Sequence, residues 1–216
     1  YRSMLGECKK HGIKTFVTML HYDIPVNLVT TYGGWKNRKT IDFFARYVET
    51  IVTELGDLVD FWMPFNEFNA ARFSPWDGVC LVKDEEGENF DRAIFQCLHH
   101  EFVANARAVE IVHRLSPETP VGGMIARFCT YPATCRPEDN MQAIHDDQYS
   151  NWFYTDVMAR GKYPAYMNRY FDACDIEIQM EPGDEELIAR NTVDFLAFSY
   201  YFSPVSYTHL RAHETL

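Results

Sequence analysis

The chain has 216 residues, 47% hydrophobic and 15% aromatic, enough for a sizeable core in one domain or in part of a larger one. Its formal net charge of -11 disfavours nucleic acid and anionic membranes as partners. No apolar stretch approaches the roughly 18 uncharged residues of a membrane helix, and the charged opening "YRSMLGECKKHG" does not read as a signal peptide.

The elements follow in chain order. Tyr1 stands in what reads as the late part of a helix, and "GIKTFVTMLHY" (12–22) is a β-branched, apolar run with the pattern of a buried strand. In "NRKTIDFFARYVETIVTELGD", Ile41, Phe44, Val48, Ile51 and Leu55 fall on one helical face, with Gly56 as the stop. "LVDFWMPF" predicts a second strand. A long helix follows in "FDRAIFQCLHHEFVANARAVEIVHRLSPE", ended by Pro117, and then a third strand in "TPVGGMIARF". Residues 138–171 read as largely helical with a break around Gly161 and Pro164. "DEELIARN" predicts a short helix with acids at its N-terminus, and "TVDFLAFSYYF" a fourth strand.

Near-continuous apolar strands alternating with helices are the pattern of a parallel sheet covered by helices, either doubly wound or closed as a (β/α)8 TIM barrel. No glycine-rich phosphate loop follows any strand. Three of the four strands end in polar or aromatic groups: His21-Tyr22-Asp23, Asn66-Glu67 and Ser199-Tyr200-Tyr201. In a barrel such strand ends carry function, which favours the barrel.

The chemistry open to these ends is limited. A carboxylic acid in partly apolar surroundings can stay protonated near neutral pH and donate to a leaving group. Glu67, after Phe61, Trp62, Met63 and Phe65, is placed for that, or it caps the next helix. Asn66 offers donor and acceptor together, as a sugar hydroxyl requires. His21 reads as a core histidine, a sugar-binding donor or a general base. Tyr200 and Tyr201 read as strand aromatics, with a phenol reaching the pocket as the sharper alternative. "HHEFVA" (99–104) begins like a zinc-binding HExxH, but Ala104 stands where the second histidine is needed. The cysteines Cys8, Cys80, Cys97, Cys129, Cys135 and Cys174 show no CxxC pair, so reduced thiols are expected and no metal site.

Taken together and in this order, "HYDIP", "GGWKNR" and "FNEFN" resemble glycoside hydrolase family 1. Within it, "RFCTYPATCRPEDN", Ser199 in "FSYYFS", and Tyr22 where ordinary β-glucosidases often carry Trp resemble the bacterial 6-phospho-β-glucosidases. The resemblance implies a partial (β/α)8 barrel covering about strands 3 to 6. It also implies retaining hydrolysis by two glutamates, with no cofactor. Glu67 matches the acid/base, Asn66 the ligand of the 2-hydroxyl, His21 a glycone ligand and Tyr201 the phenol that orients the nucleophile. Gly33-Gly34-Trp35 is expected to be a structural turn. The nucleophile's Glu-Asn-Gly motif and the phosphate-binding loop are absent from this chain, so it is expected to be an inactive fragment by itself.

Phosphorylated β-linked disaccharides such as cellobiose 6-phosphate, or aryl β-glucosides, are the implied partners, and the cytoplasm the implied compartment. An ordinary β-glucosidase, a 6-phospho-β-galactosidase and a non-catalytic sugar-binding barrel are the alternatives. Pro64 stands where the family tends to have Thr, and in a central strand it removes a ladder donor, pointing to a bulge or a sequence error. "VSYTHLRAHETL" (205–216) shares none of the preceding rhythm and resembles translated sequencing-adapter DNA. The glycosidase domain is therefore drawn as 1–204, with 205–216 as a non-native tail.

Overall fold

Apolar alternation and helical periodicity produce the expected succession of strands and helices. The structure is a computed structural model that describes residues 1–82, 87 and 90–206; the expectation for 207–216 lies outside the described residues. Four strands alternate with helices: β1 (Phe16–Leu20), β2 (Phe61–Phe65), β3 (Gly122–Arg127) and, after a two-residue β4 (Tyr131–Pro132), β5 (Phe195–Tyr200). The helices are α1 (Arg2–Lys10), α2 (Val26–Tyr32), α3 (Lys39–Leu55), α4 (Ala70–Phe73), α5 (Pro75–Val79), α6 (Phe90–Leu115), α7 (Pro137–Asp147), α8 (Phe153–Arg160), α9 (Ala165–Ala173) and α10 (Asp184–Arg190).

The helix predicted around Ile41 to Leu55 is α3, and Ile41, Phe44, Val48 and Val52 are its buried face. Gly56 ends it in the right-handed region, passing into a 3-10 turn over Gly56–Leu58. The helical region 138–171 divides as expected at Gly161, which is left-handed, and at Pro164, which precedes α9.

All strand pairs are parallel. β1 pairs with β2 from Phe16↔Phe61 to Leu20↔Phe65, and β3 with β5 from Gly122↔Phe195 to Arg127↔Tyr200. Gly122 has to be glycine, because a Cβ there would sit 2.2 Å from the Phe195 ring. Between β2 and β3 there is one bridge, Trp62↔Val121, with Trp62 N–H donating to the Pro120 carbonyl (3.1 Å). Two residues on, the donor that would face β3 is missing because the residue is Pro64. The β1–β2 register keeps one offset across Pro64, so there is no bulge. The lost donor is confined to the seam with β3.

The sheet is strongly curled. β1 and β5 lie at its two edges, about 14 Å apart if three strand spacings were laid flat. Yet the Phe16 and Phe195 rings are 5.4 Å apart, and Phe61 packs on both at 5.5 and 5.9 Å. These three rings fill the inner face where the strands begin. On the outer face Trp62, Val48, Val52, Leu98, Phe102, Val109, Val121, Phe153 and Val157 form the main core beneath α3, α6 and α8. Leu196, Phe198 and Tyr200 of β5 stay exposed. Val205 and Ser206, assigned from sequence to the tail, form β6 and pair with β4.

Candidate active site

The carboxyl ends of β1, β2 and β5 converge on Glu67, as the curl of the sheet requires. Glu67 lies two residues past the end of β2, and its chain turns sharply there, with φ of +33°. It is 6% exposed and Asn66 7%. The Asn66 amide donates to the Leu20 carbonyl (3.0 Å), which ties the end of β2 to the end of β1.

Two phenols hold the carboxylate. Tyr22, just past β1, donates to Glu67 Oε2 at 2.7 Å, and Tyr201, just past β5, donates to Oε1 at 3.1 Å. Tyr22 is half-buried in the left-handed region, with φ of +69°. Burial first, and then its bond to Glu67, push the Tyr22 phenol well above its ordinary range. It therefore acts as a donor that keeps its proton.

The helix-capping alternative for Glu67 is not what forms. The N-cap of α4 is Asn69, whose side chain accepts from the Ala126 amide (2.8 Å) and donates to the Ala126 and Ser150 carbonyls (2.6 and 2.9 Å). That lashes the β2 end to β3 and leaves the Glu67 carboxylate free for the two phenols. His21 is exposed, so the core-histidine reading is set aside. Its amide donates to Asp23 Oδ1 (3.0 Å), and its ring lies edge-on to Tyr22 with centroids 5.5 Å apart.

Gly33-Gly34-Trp35 is a turn, as expected. Gly33 and Gly34 have φ of +78° and +61°, and a Cβ on Gly34 would meet Cys80 Cβ at 2.8 Å. The turn delivers Trp35 into the core against Phe65, with centroids 5.4 Å apart. Behind Glu67 a small cavity is lined by Tyr22, Trp35, Asn66, Cys80 and Glu101 among others. Burial alone pushes the Glu101 carboxyl well above the usual range, and burial with Glu101 nearby pushes the Cys80 thiol up to about 12. Both shifts favour the neutral forms of these two groups beneath Glu67.

The histidines of the "HHE" stretch are structural. His99 Nε2–H donates to Asp184 (2.9 Å) while Tyr163 donates to its Nδ1 (3.0 Å), and His100 Nδ1–H donates to the Trp35 carbonyl (2.8 Å). Among the described residues no group of three or more His, Cys, Asp or Glu could hold a metal ion.

The structure thus gathers Glu67, Asn66 and Tyr201, with His21 at the rim. Sequence reasoning noted Tyr22 at a strand end and as a feature of the phospho-specific branch, and missed its contact with Glu67. Its signal was position, two residues past a strand end. Glu101 was passed over with the failed zinc motif.

A curled parallel βα sheet with a buried carboxylate at a strand's carboxyl end is the arrangement of a barrel-type glycosidase. Residues 1–215 match the family "Glycosyl hydrolase family 1", and the chain belongs to that family. The chain is 45% identical over 215 residues to 6-phospho-beta-glucosidase AscB of Escherichia coli, covering all of this chain and 45% of that protein. It is 46% identical over 208 residues to aryl-phospho-beta-D-glucosidase BglH of Bacillus subtilis, covering 96% and 44%. A crystal structure of a beta-glucosidase from Exiguobacterium marinum matches with a TM-score of 0.78 at 28% identity, over 95% of this chain and 46% of that one. The chain spans about half the length of these relatives, so its fold is a partial (β/α)8 barrel.

Proposed function

We propose that this chain carries the acid/base part of a retaining glycosidase that acts on 6-phospho-β-glucosides such as cellobiose 6-phosphate or aryl phosphoglucosides. The observation that carries it is the buried Glu67 carboxylate at the end of β2, held by hydroxyls from the ends of β1 and β5 in a chain of this family. The names of the similar proteins support the phosphorylated substrate class. In this reading Glu67 protonates the glycosidic oxygen as the bond to the sugar breaks, and later takes a proton from the water that releases the sugar. Asn66 holds the 2-hydroxyl, His21 reaches glycone hydroxyls from the rim, and Tyr201 orients the nucleophile. The nucleophile would come from sequence beyond this chain. Phosphorylated sugars are intracellular compounds, so the cytoplasm goes with this substrate class.

The test is an assay of the whole gene product on paired aryl β-glucosides, with and without the 6-phosphate. Hydrolysis confined to the phosphorylated member supports the proposal, and equal rates would sink the phosphate-specific part. A preference for the galactoside would move the substrate to 6-phospho-β-galactosides, the class named for a relative from Clostridium acetobutylicum that is 30% identical. Glu67→Gln should lower kcat on phenyl glycosides by about 10²–10⁴-fold, the usual contribution of a positioned acid. A variant within threefold of wild type would remove Glu67 from the mechanism.

A further inference from the structure

We propose that Tyr22 is a positioning residue of the acid step, its hydroxyl stabilising the negative charge that develops on Glu67 as that residue gives up its proton. This rests on the function proposed above and adds to it a residue to which no role had been attached.

Three observations converge. The hydroxyl donates to Glu67 Oε2 at 2.7 Å, the shorter of the two bonds that this carboxyl receives from phenols. Both partners have left-handed backbone, φ +69° at Tyr22 and +33° at Glu67, a conformation unfavourable for an L-residue that persists only where surroundings impose it. Here the surroundings are specific. Asp23 accepts the His21 amide and closes the turn at Tyr22, while the Asn66 amide is bound to Leu20. Tyr22 also lines the small cavity behind Glu67, on the side of the carboxylate turned into the protein.

The chemistry follows from which form of Glu67 the phenol prefers. Before the step Glu67 holds a proton. That proton moves to the glycosidic oxygen, the bond between this oxygen and the anomeric carbon breaks, and its electron pair stays on the departing oxygen. Glu67 is left as the anion, and Tyr22 keeps its own proton throughout. A neutral donor binds a carboxylate more strongly than a carboxylic acid, so the bond tightens as the proton leaves and lowers the barrier rather than only binding the ground state. Its value depends on how much protonation the leaving group needs. Phenolate is a poor leaving group and needs the acid, whereas dinitrophenolate departs almost unaided.

The experiment uses the whole gene product and its Tyr22→Phe variant, with kcat/KM measured on phenyl and 2,4-dinitrophenyl 6-phospho-β-glucosides. The expected result is a fall of tenfold or more in the ratio of the phenyl to the dinitrophenyl rate. Equal losses on both substrates would mean that Tyr22 supports only the fold, and an unchanged ratio without loss would mean that it has no role; either overturns the inference. Wild-type protein inert on both would instead defeat the proposed function, and with it any role of Tyr22 in that reaction. A crystal structure of the whole protein gives an answer independent of activity. A Tyr22 to Glu67 oxygen distance below about 3.2 Å is expected, and a separation beyond 4 Å would refute the contact.

Discussion

Asp184 shows how single residues hold this half of the barrel together. It is buried at the start of α10 and takes hydrogen bonds from Arg38 (2.9 Å), His99 (2.9 Å) and the Glu181 amide (2.8 Å), so three separate stretches of chain meet on one carboxylate. Burial pushes its carboxyl up, but these bonds together outweigh burial and hold it at about 2, below the ordinary 3.8. Burial also holds His99 below its usual range, so it is neutral near pH 7 and presents its Nε2–H to Asp184. The folded form of Asp184 therefore binds its proton less readily than the unfolded form. Its contribution, on the order of 2 kcal/mol, is complete above about pH 4 and is lost as pH falls through about 2. In urea unfolding of the whole protein, Asp184→Asn should be less stable at pH 7 by about 2–4 kcal/mol. It should also lose less of its remaining stability than wild type between pH 4 and pH 2. Parallel pH curves for the two proteins would contradict this account.

At the scale of elements, Pro64 marks the weakest seam in the sheet. The bond from Trp62 to Pro120 faces β3, and the next donor in phase would reach Gly122 if residue 64 had an N–H. Pro64→Thr should create that amide inside the seam. The expected outcome is an amide at position 64 that exchanges slowly in hydrogen-exchange mass spectrometry or NMR, with better protection in the neighbouring part of β3. The net gain in stability should stay near 1 kcal/mol or less, because the new hydrogen bond is offset by the freedom that Thr restores to the unfolded chain. Fast exchange at residue 64 would mean that the seam is held open by something other than the missing donor.

For the whole molecule, the uncovered face of β5 decides how the chain behaves by itself. Leu196, Phe198 and Tyr200 alternate outward at 45%, 64% and 56% exposure. Three large apolar residues in a row on a strand invite association with the same face of another copy. The 216-residue chain should therefore elute in size-exclusion chromatography well above its 25.2 kDa monomer mass and hydrolyse neither phosphorylated nor plain aryl glucosides. Replacing Leu196 and Phe198 by Lys should shift it toward the monomer. A monomer with turnover from the unaltered chain would contradict both expectations.

The strands, the long helices and their order were legible from residues 12 to 200, because apolar periodicity reports directly which side of an element is buried. Glu67, Asn66, His21 and Tyr201 were named from their places at strand ends and from the spacing of their motifs, before any geometry. Short-range patterning could not show the rest. Residues 22, 67 and 201 become neighbours only through the curl that also brings Phe16 within 5.4 Å of Phe195. The bond between Tyr22 and Glu67 depends on two left-handed residues that no propensity favours. The exposure of His21, the cluster on Asp184 and the pairing of Val205–Ser206 with β4 likewise join residues far apart in the chain. Local sequence thus determined the elements and the reactive groups, while the partners of those groups were decided by packing, since a contact between distant residues exists only once the sheet has closed around it.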